Sequence, residues 1–308
     1  MKKAASMLTR LVASRLGIAV LTFSALMRGQ TAPPQSGTPK EQKTASVAPA
    51  PIDVDGWGRP ITAPMQGQKA PAPRRDISGT WEPANGPLDG VQFYGSKAVP
   101  EDGKADRELP YTPLGRELWN GNKPSIGSRS VLPAEANDPV INCDPQGFPR
   151  EDLFQLRTTQ ILQTPMSVVI LYEFDRIWRV IWMDGRALPE DPEPRWFGYS
   201  VGKWVDDYTL VVETTGMDER TWLDNVGRPH SQELHVEERF HRVDRDHLEW
   251  TVTIEDPKIY TNPWVAMDKL PFYLQPPSFD VREMICSPSE SAEYDNLIGN
   301  PASEKDRH

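Results

Sequence analysis

Three charged residues stand on stretches of this chain where apolar side chains are due. Glu173 shares an alternating face with Val169 and Leu171, Arg179 with Ile177, Ile181 and Met183, and Glu238 with Leu234, Val236 and Phe240. A charge buried alone is very costly, so each must pair, shift its pKa or meet a ligand. The three belong to neighbouring strands, which makes an internal Glu173–Arg179–Glu238 network a concrete expectation. A structural ion pair, or a strand end where the charge reaches water, accounts for the same pattern.

A second group of chemically capable residues lies on Gly216–Ser231, GMDERTWLDNVGRPHS. A loop of that length in a compact barrel is functional or disordered. His230 and Asp224 have the makings of a general base and its orienting carboxylate, beside Arg186 or Glu238, and Ser231 is a nucleophile in type. Adjacent Ser and His side chains diverge on most backbones, and no GxSxG elbow is present, which disfavours a serine hydrolase. His230, His235, Glu237 and His241 are the candidate metal ligands. His235 and His241, six apart on one strand, stand roughly 20 Å apart, and HExxH and related zinc spacings are absent. No metal and no cofactor are therefore expected. Ten tryptophans are many for an acidic chain. Trp196, Tyr199 and Trp204 offer flat apolar faces with polar tips, suited to walling a ligand site or to filling a β-core.

The elements that must hold these groups read as antiparallel strands. Arg195–Thr215 alternates with period two around the corner Val205-Asp206-Asp207 and forms a hairpin. Gly198 and Gly202 within it mark a bend, a bulge or a close approach. Ser167–Phe174 and Ile177–Asp184 flank Asp175-Arg176, and Asp184-Gly185 turns the chain. Glu233–Val243 and His247–Glu255 make a further hairpin, and Lys269–Gln275 with Ser278–Ile285 a last pair. Asp256–Trp264 reads as a rigid connector able to form a rim or lid. Order begins at Asp76–Trp81, whose Gly-x-Trp is similar to the opening strand of lipocalin-type barrels, where the tryptophan closes one end. Residues 82–165 are irregular, with one short helix at Thr112–Trp119 capped by Thr112. About eight strands with short turns predict an all-β antiparallel meander closing into a lipocalin-like barrel; a β-sandwich is the alternative.

Composition narrows location and partners. Lys2, Lys3, Arg10 and Arg15 followed by the apolar run Leu16–Met27 read as a secretory signal, residues 1–32, too short for a comfortable membrane span. An uncleaved N-terminal anchor is the plainer alternative. Residues 33–75, rich in Pro, Ala and Gln, read as a disordered linker, with a small docking spot conceivable at Asp53–Pro60. Residues 76–290 make one barrel domain with a wrapping arm over 82–165, and 291–308 a disordered tail. Beyond the signal, 29 basic residues face 44 acidic ones, a net of −15. That excludes nucleic acid and anionic lipid as natural partners. Cys143 and Cys286, an even count in an oxidising compartment, predict one disulfide stapling the arm NDPVINCDPQGFPR to the body. The expected place is the periplasm or the medium.

Several long motifs resemble a family of exported bacterial proteins to which no activity is assigned: NDPVINCDPQGFPR, DGR at Asp184–Arg186, GYSVGKW, TLVVETTGM, TWLDNVGRPHS, VEERF and DPKIYTNPW. The likeness runs from about Ile77 to Cys286 and implies an exported β-rich domain. Where such proteins tend to carry Gly-Asp before TLVV, this chain has Asp207-Tyr208, which alters the turn. Together these features predict a binding protein holding a small, partly apolar ligand in the barrel. Glu173, Arg179, Arg186 and Glu238 would anchor it, and Trp196, Tyr199 and Trp204 would form the walls. An acid–base enzyme, a hydrolase or isomerase using His230 and Asp224, is the rival, and a structural envelope protein docked by its linker a third possibility.

Overall fold

Nine strands close on themselves in chain order to make a barrel. They are β1 Gly79–Pro83, β2 Thr159–Gln163, β3 Ser167–Tyr172, β4 Trp178–Trp182 and β5 Tyr199–Trp204. β6 Thr209–Thr215, β7 His235–Arg242, β8 His247–Glu255 and β9 Trp264–Leu274 complete the wall. The structure is a computed structural model and describes residues 54–60, 70–84, 96, 98–154, 156–299 and 301. The signal segment and most of the linker fall outside the described residues.

Local chemistry explains the hairpins. Asp175 and Arg176 both adopt left-handed backbone between β3 and β4, as a two-residue turn matched to strand twist requires. Asp206 and Asp244 each accept a backbone N–H two residues on, which shapes the β5–β6 and β7–β8 corners. Alternation then sends Leu210, Val212, Thr214, Val236, Glu238 and Phe240 inward. The hollow is filled rather than open: Phe240, Trp250 and Phe272 stack in sequence, with centroid separations of 4.4 and 5.6 Å. Trp81 lies fully buried in the same core and donates from Nε1 to the Ile77 carbonyl at 2.9 Å. The Arg242 guanidinium covers its ring at 4.5 Å.

The barrel departs from a plain meander in three places. After β4, Gly185 turns the chain away, and the excursion returns so that β5 runs parallel to β4, paired only at Ile181↔Ser200 and Trp182↔Val201. A parallel return needs a crossover of a dozen or more residues, which the stretch between Trp182 and Tyr199 supplies. The expected last pair, Lys269–Gln275 with Ser278–Ile285, is instead the one long strand β9, which begins at Trp264 and pairs with β8 and β1. A bulge opposite Trp250–Thr253, with Lys269 in left-handed backbone, lets this strand carry Pro271. Residues 278–285 add only an isolated bridge, Met284 to Phe174. The short strand β2 lies in the stretch read as irregular.

Two helices brace the arm. α1, Pro113–Gly121, starts where Thr112 Oγ1 accepts from the Gly115 N–H. α2, Arg150–Leu153, has all four residues buried. Residues 291–299, expected as tail, belong to α3, Pro288–Tyr294, and a π-turn that follows it. Within the expected linker, Val54–Pro60 folds into a turn held by Asp55–Arg59 and docks through the Gly56 N–H on the Asp280 carbonyl.

Cys143 and Cys286 are bonded across 143 residues of chain, fastening the arm to the segment after β9. Such a link removes about 5 kcal/mol of loop-closure entropy from the unfolded chain. Cys143→Ser should lower unfolding free energy by up to that amount in a denaturant titration run without reductant. An unchanged midpoint would mean that the link adds nothing to stability.

Candidate functional site

The centre of the site is a guanidinium inside the barrel. Arg179 points inward from β4 and is 2% exposed. Nη1 donates to Glu238 Oε1 at 3.0 Å, and Nη2 donates to Glu238 Oε2 in a second, short contact. Nε donates to Ser200 Oγ at 3.0 Å and Nη2 also to Thr214 Oγ1 at 2.8 Å, while Ser200 and Thr214 join each other at 3.0 Å. The Phe148 ring lies against the guanidinium, 3.7 Å from its carbon to the ring centroid. Burial works against the charge, but Glu238, Tyr172 and Asp152 together more than offset it, and Arg179 holds its proton more tightly than an ordinary guanidinium.

Below this pair, α2 inserts two acids. Asp152 Oδ2 stands 3.9 Å from Arg179 Nη1, too far for a hydrogen bond. Burial, and then the Glu238 charge, push the Asp152 carboxyl well above its usual range. Glu151 is raised by burial and by Asp175 and Asp152, and its oxygens make no hydrogen bond among the described residues. Tyr172, facing inward from β3, is raised by burial and the nearby Asp152. A guanidinium–carboxylate pair with a neutral-leaning acid beside it can hold a proton inside the wall.

Access comes from the weak seam. Only two residue pairs join β4 to β5, and ahead of them the two strands diverge, leaving a cleft of about 620 Å³. Trp178, Trp182, Trp196 and Tyr199 wall it, and Arg179 and Ser200 are among its lining residues. Arg186 lies over Trp182 at 3.8 Å, Arg195 over Tyr199 at 4.2 Å, and Arg220 over Trp196 at 4.5 Å. Gly198 makes the bend at the cleft mouth. Its φ is +58°, and a Cβ there would sit 2.5 Å from the Thr215 carbonyl oxygen. Gly202 lets β5 approach β4, since a Cβ would meet Met183 Sδ at 2.7 Å.

Of the residues singled out for ligand contact, Arg179, Arg186, Trp196 and Tyr199 line this cleft, and Glu238 lies behind Arg179. Two do not. Glu173 is buried but apart from Arg179: β3 ends at Tyr172, the turn begins, and Glu173 Oε1 accepts from Arg282 Nη2 at 2.9 Å beneath the segment after β9. Its presumed strand companions, Val169 and Leu171, lie on the outer face. Trp204, at the far end of β5, packs on the hydrophobic core.

The expected base–carboxylate pair is not formed. His230 is buried with Nε2 on Thr221 Oγ1 at 2.7 Å and Nδ1 on the Ser231 carbonyl at 3.1 Å, and burial lowers its pKa. Asp224 instead accepts from Arg228 at 3.1 Å and from the Ser96 N–H. Ser231 Oγ donates to Asp256 Oδ1 at 2.9 Å. The 216–231 loop is thus an internal brace, its His230, Asp224 and Ser231 each held by a structural partner, Thr221, Arg228 and Asp256. Among the described residues no group of three or more His, Cys, Asp or Glu is placed to hold a metal ion.

Two contributors escape inspection of the chain as a string. Asp152 and Glu151 occur in a charged run, Arg150-Glu151-Asp152, whose burial nothing local announces. Trp178 and Trp182, aromatics of the kind that wall sugar or lipid sites, face outward on β4, and the splayed seam turns that face into a wall. No family model, no curated protein and no solved structure matches the chain.

Two outcomes are expected. Glu238→Gln strands the Arg179 charge and should cost about 3–5 kcal/mol in chemical denaturation, as removal of one partner of a buried ion pair does; a loss under about 1 kcal/mol would contradict the pairing. Asp152 has a raised folded-state value, so the unfolded chain releases a proton that the native chain keeps, and native stability falls as pH climbs above about 4. Asp152→Asn removes that titration. Its melting temperature should gain on the parent progressively from about pH 5 to about pH 8, and a constant or shrinking difference would refute the assignment.

Proposed function

We propose that this chain is an exported binding protein, akin to the exported family its motifs resemble, that holds a small, partly apolar ligand in the β4–β5 cleft. The observation that carries the proposal is the unzipped seam: a concave space of about 620 Å³ with four aromatic walls and arginines among its lining residues. Small-molecule sites are typically roughly 300–1,000 Å³, mostly apolar, with few convergent polar groups. Trp178 is 62% exposed. An indole kept in water contributes little to the fold, and its flat face is available to a guest. The Cys143–Cys286 bond supports an oxidising compartment. No helix among the described residues is long and apolar enough to cross a membrane.

A thermal-shift and tryptophan-fluorescence screen with lipids, sugars and aromatic acids tests the proposal. At least one class should raise the melting temperature of the parent. Trp178→Ala should leave the unliganded melting temperature within about a degree and weaken that ligand roughly fivefold to tenfold, the worth of one aromatic contact. If no class shifts the melt, or if Trp178→Ala binds as the parent does, the cleft is not the site.

A further inference from the structure

We infer that the guest of this cleft is a planar anion, a carboxylate conjugated to an aromatic or similarly flat body; the inference presupposes that the cleft is a ligand site. Charge is its first support. The chain carries 34 basic and 44 acidic residues. Yet the cleft is lined by Arg179, Arg186 and Arg195 and by no Asp or Glu. Arg179 and Arg186 are offset by Glu238 and Asp184, so in a protein of net −10 the positive charge this cleft offers a small anion is that of Arg195.

The state of each guanidinium gives the second support. Arg179 is saturated by Glu238, Ser200 and Thr214, and Arg186 is paired to Asp184 at 2.6 Å. Arg195 is different. Its side chain makes no ion pair and no hydrogen bond among the described residues, and it lies over the face of Tyr199 at 4.2 Å. A guanidinium stacked on a ring keeps its N–H edge free, and that edge matches the two oxygens of a carboxylate. Stacking also pre-orders the long side chain, so that less freedom is lost when the anion arrives.

Shape gives the third. Trp178, Trp182, Trp196 and Tyr199 present rings, and two of these rings already carry an arginine from the lining. Aromatic walls reward a flat body that can lie against them by offset or edge-to-face contact. A carboxylate attached to such a body would reach the Arg195 edge while its plane rests on the indoles. An extended sugar would leave that edge unmatched, and a neutral ring would leave it unpaired.

Titration of the full-length oxidised protein, followed by calorimetry and tryptophan fluorescence, decides the matter with naphthoate, naphthamide and naphthyl phosphate as probes. Naphthoate should bind at least tenfold more tightly than naphthamide, and added salt should weaken it alone. Arg195→Gln should erase that preference, bringing naphthoate affinity down to that of naphthamide, and Arg195→Lys should restore part of it. Equal binding of acid and amide would overturn the anion assignment and leave the cleft a ligand site. Tighter binding of the phosphate would overturn the carboxylate. If none of the probes binds and no class in the broader screen does either, the cleft itself is refuted along with its guest.

Discussion

A guanidinium sealed inside a β-barrel has to be satisfied on every edge, and that requirement organises this molecule. Arg179 leaves β4 and is met by Ser200 on β5, Thr214 on β6 and Glu238 on β7. One side chain therefore ties four consecutive strands across the place where the backbone ladder is thinnest. β4 and β5 share only two residue pairs, and a parallel pairing is slightly weaker per residue than an antiparallel one. The side-chain network closes the barrel where hydrogen bonds between strands do not. The wall can part there into a cleft without the barrel losing its closure.

The same demand explains the plug. α2 reaches the barrel interior with Arg150 bound to Asp138 in a fork of 2.8 and 2.7 Å, and this buried pair anchors the helix that brings Asp152 beneath Arg179. Phe148, just ahead of α2, supplies the ring against the guanidinium, and its N–H binds the carbonyl of Trp196 in the cleft wall. Plug, buried ion pair and cleft wall are thus one connected assembly. An acid kept toward neutrality beside an ion pair avoids a second uncompensated charge, which the interior could not tolerate.

Two kinds of arginine result. Those inside are spent on structure: Arg150, Arg179 and Arg228 each have a buried carboxylate partner. Those at the cleft mouth rest on aromatic rings, and the Arg195 guanidinium, over Tyr199, has no ion pair or side-chain hydrogen bond among the described residues. Burial without a partner is forbidden, whereas exposure on a ring is cheap and leaves donors available. The contrast separates groups that hold the fold from groups able to meet a guest.

Much of the architecture was legible in the chain itself. Period-two alternation located six of the strands, β3 to β8, most of which have one wetter and one buried face, and Gly79-Thr80-Trp81 marked β1. Thr112-Pro113 announced α1 through its cap, and two lone cysteines announced their bond. Arg179 and Glu238 stood out because charge interrupts an apolar face, and that signal is local. Tertiary structure decided the rest. β2 escapes because apolar Leu162 on its wet face adjoins buried Ile161 and blurs the alternation. Of β9 only the part from Lys269 was legible, its start at Trp264 showing once two neighbouring strands pair with it. The parallel return of β5, the separation of Glu173 from Arg179 and of His230 from Asp224, and the burial of Asp152 all depend on which segments meet across long stretches of chain. Periodicity reports which way a side chain points along its own strand. What it points at is set by closure of the barrel, and no local run of residues encodes that.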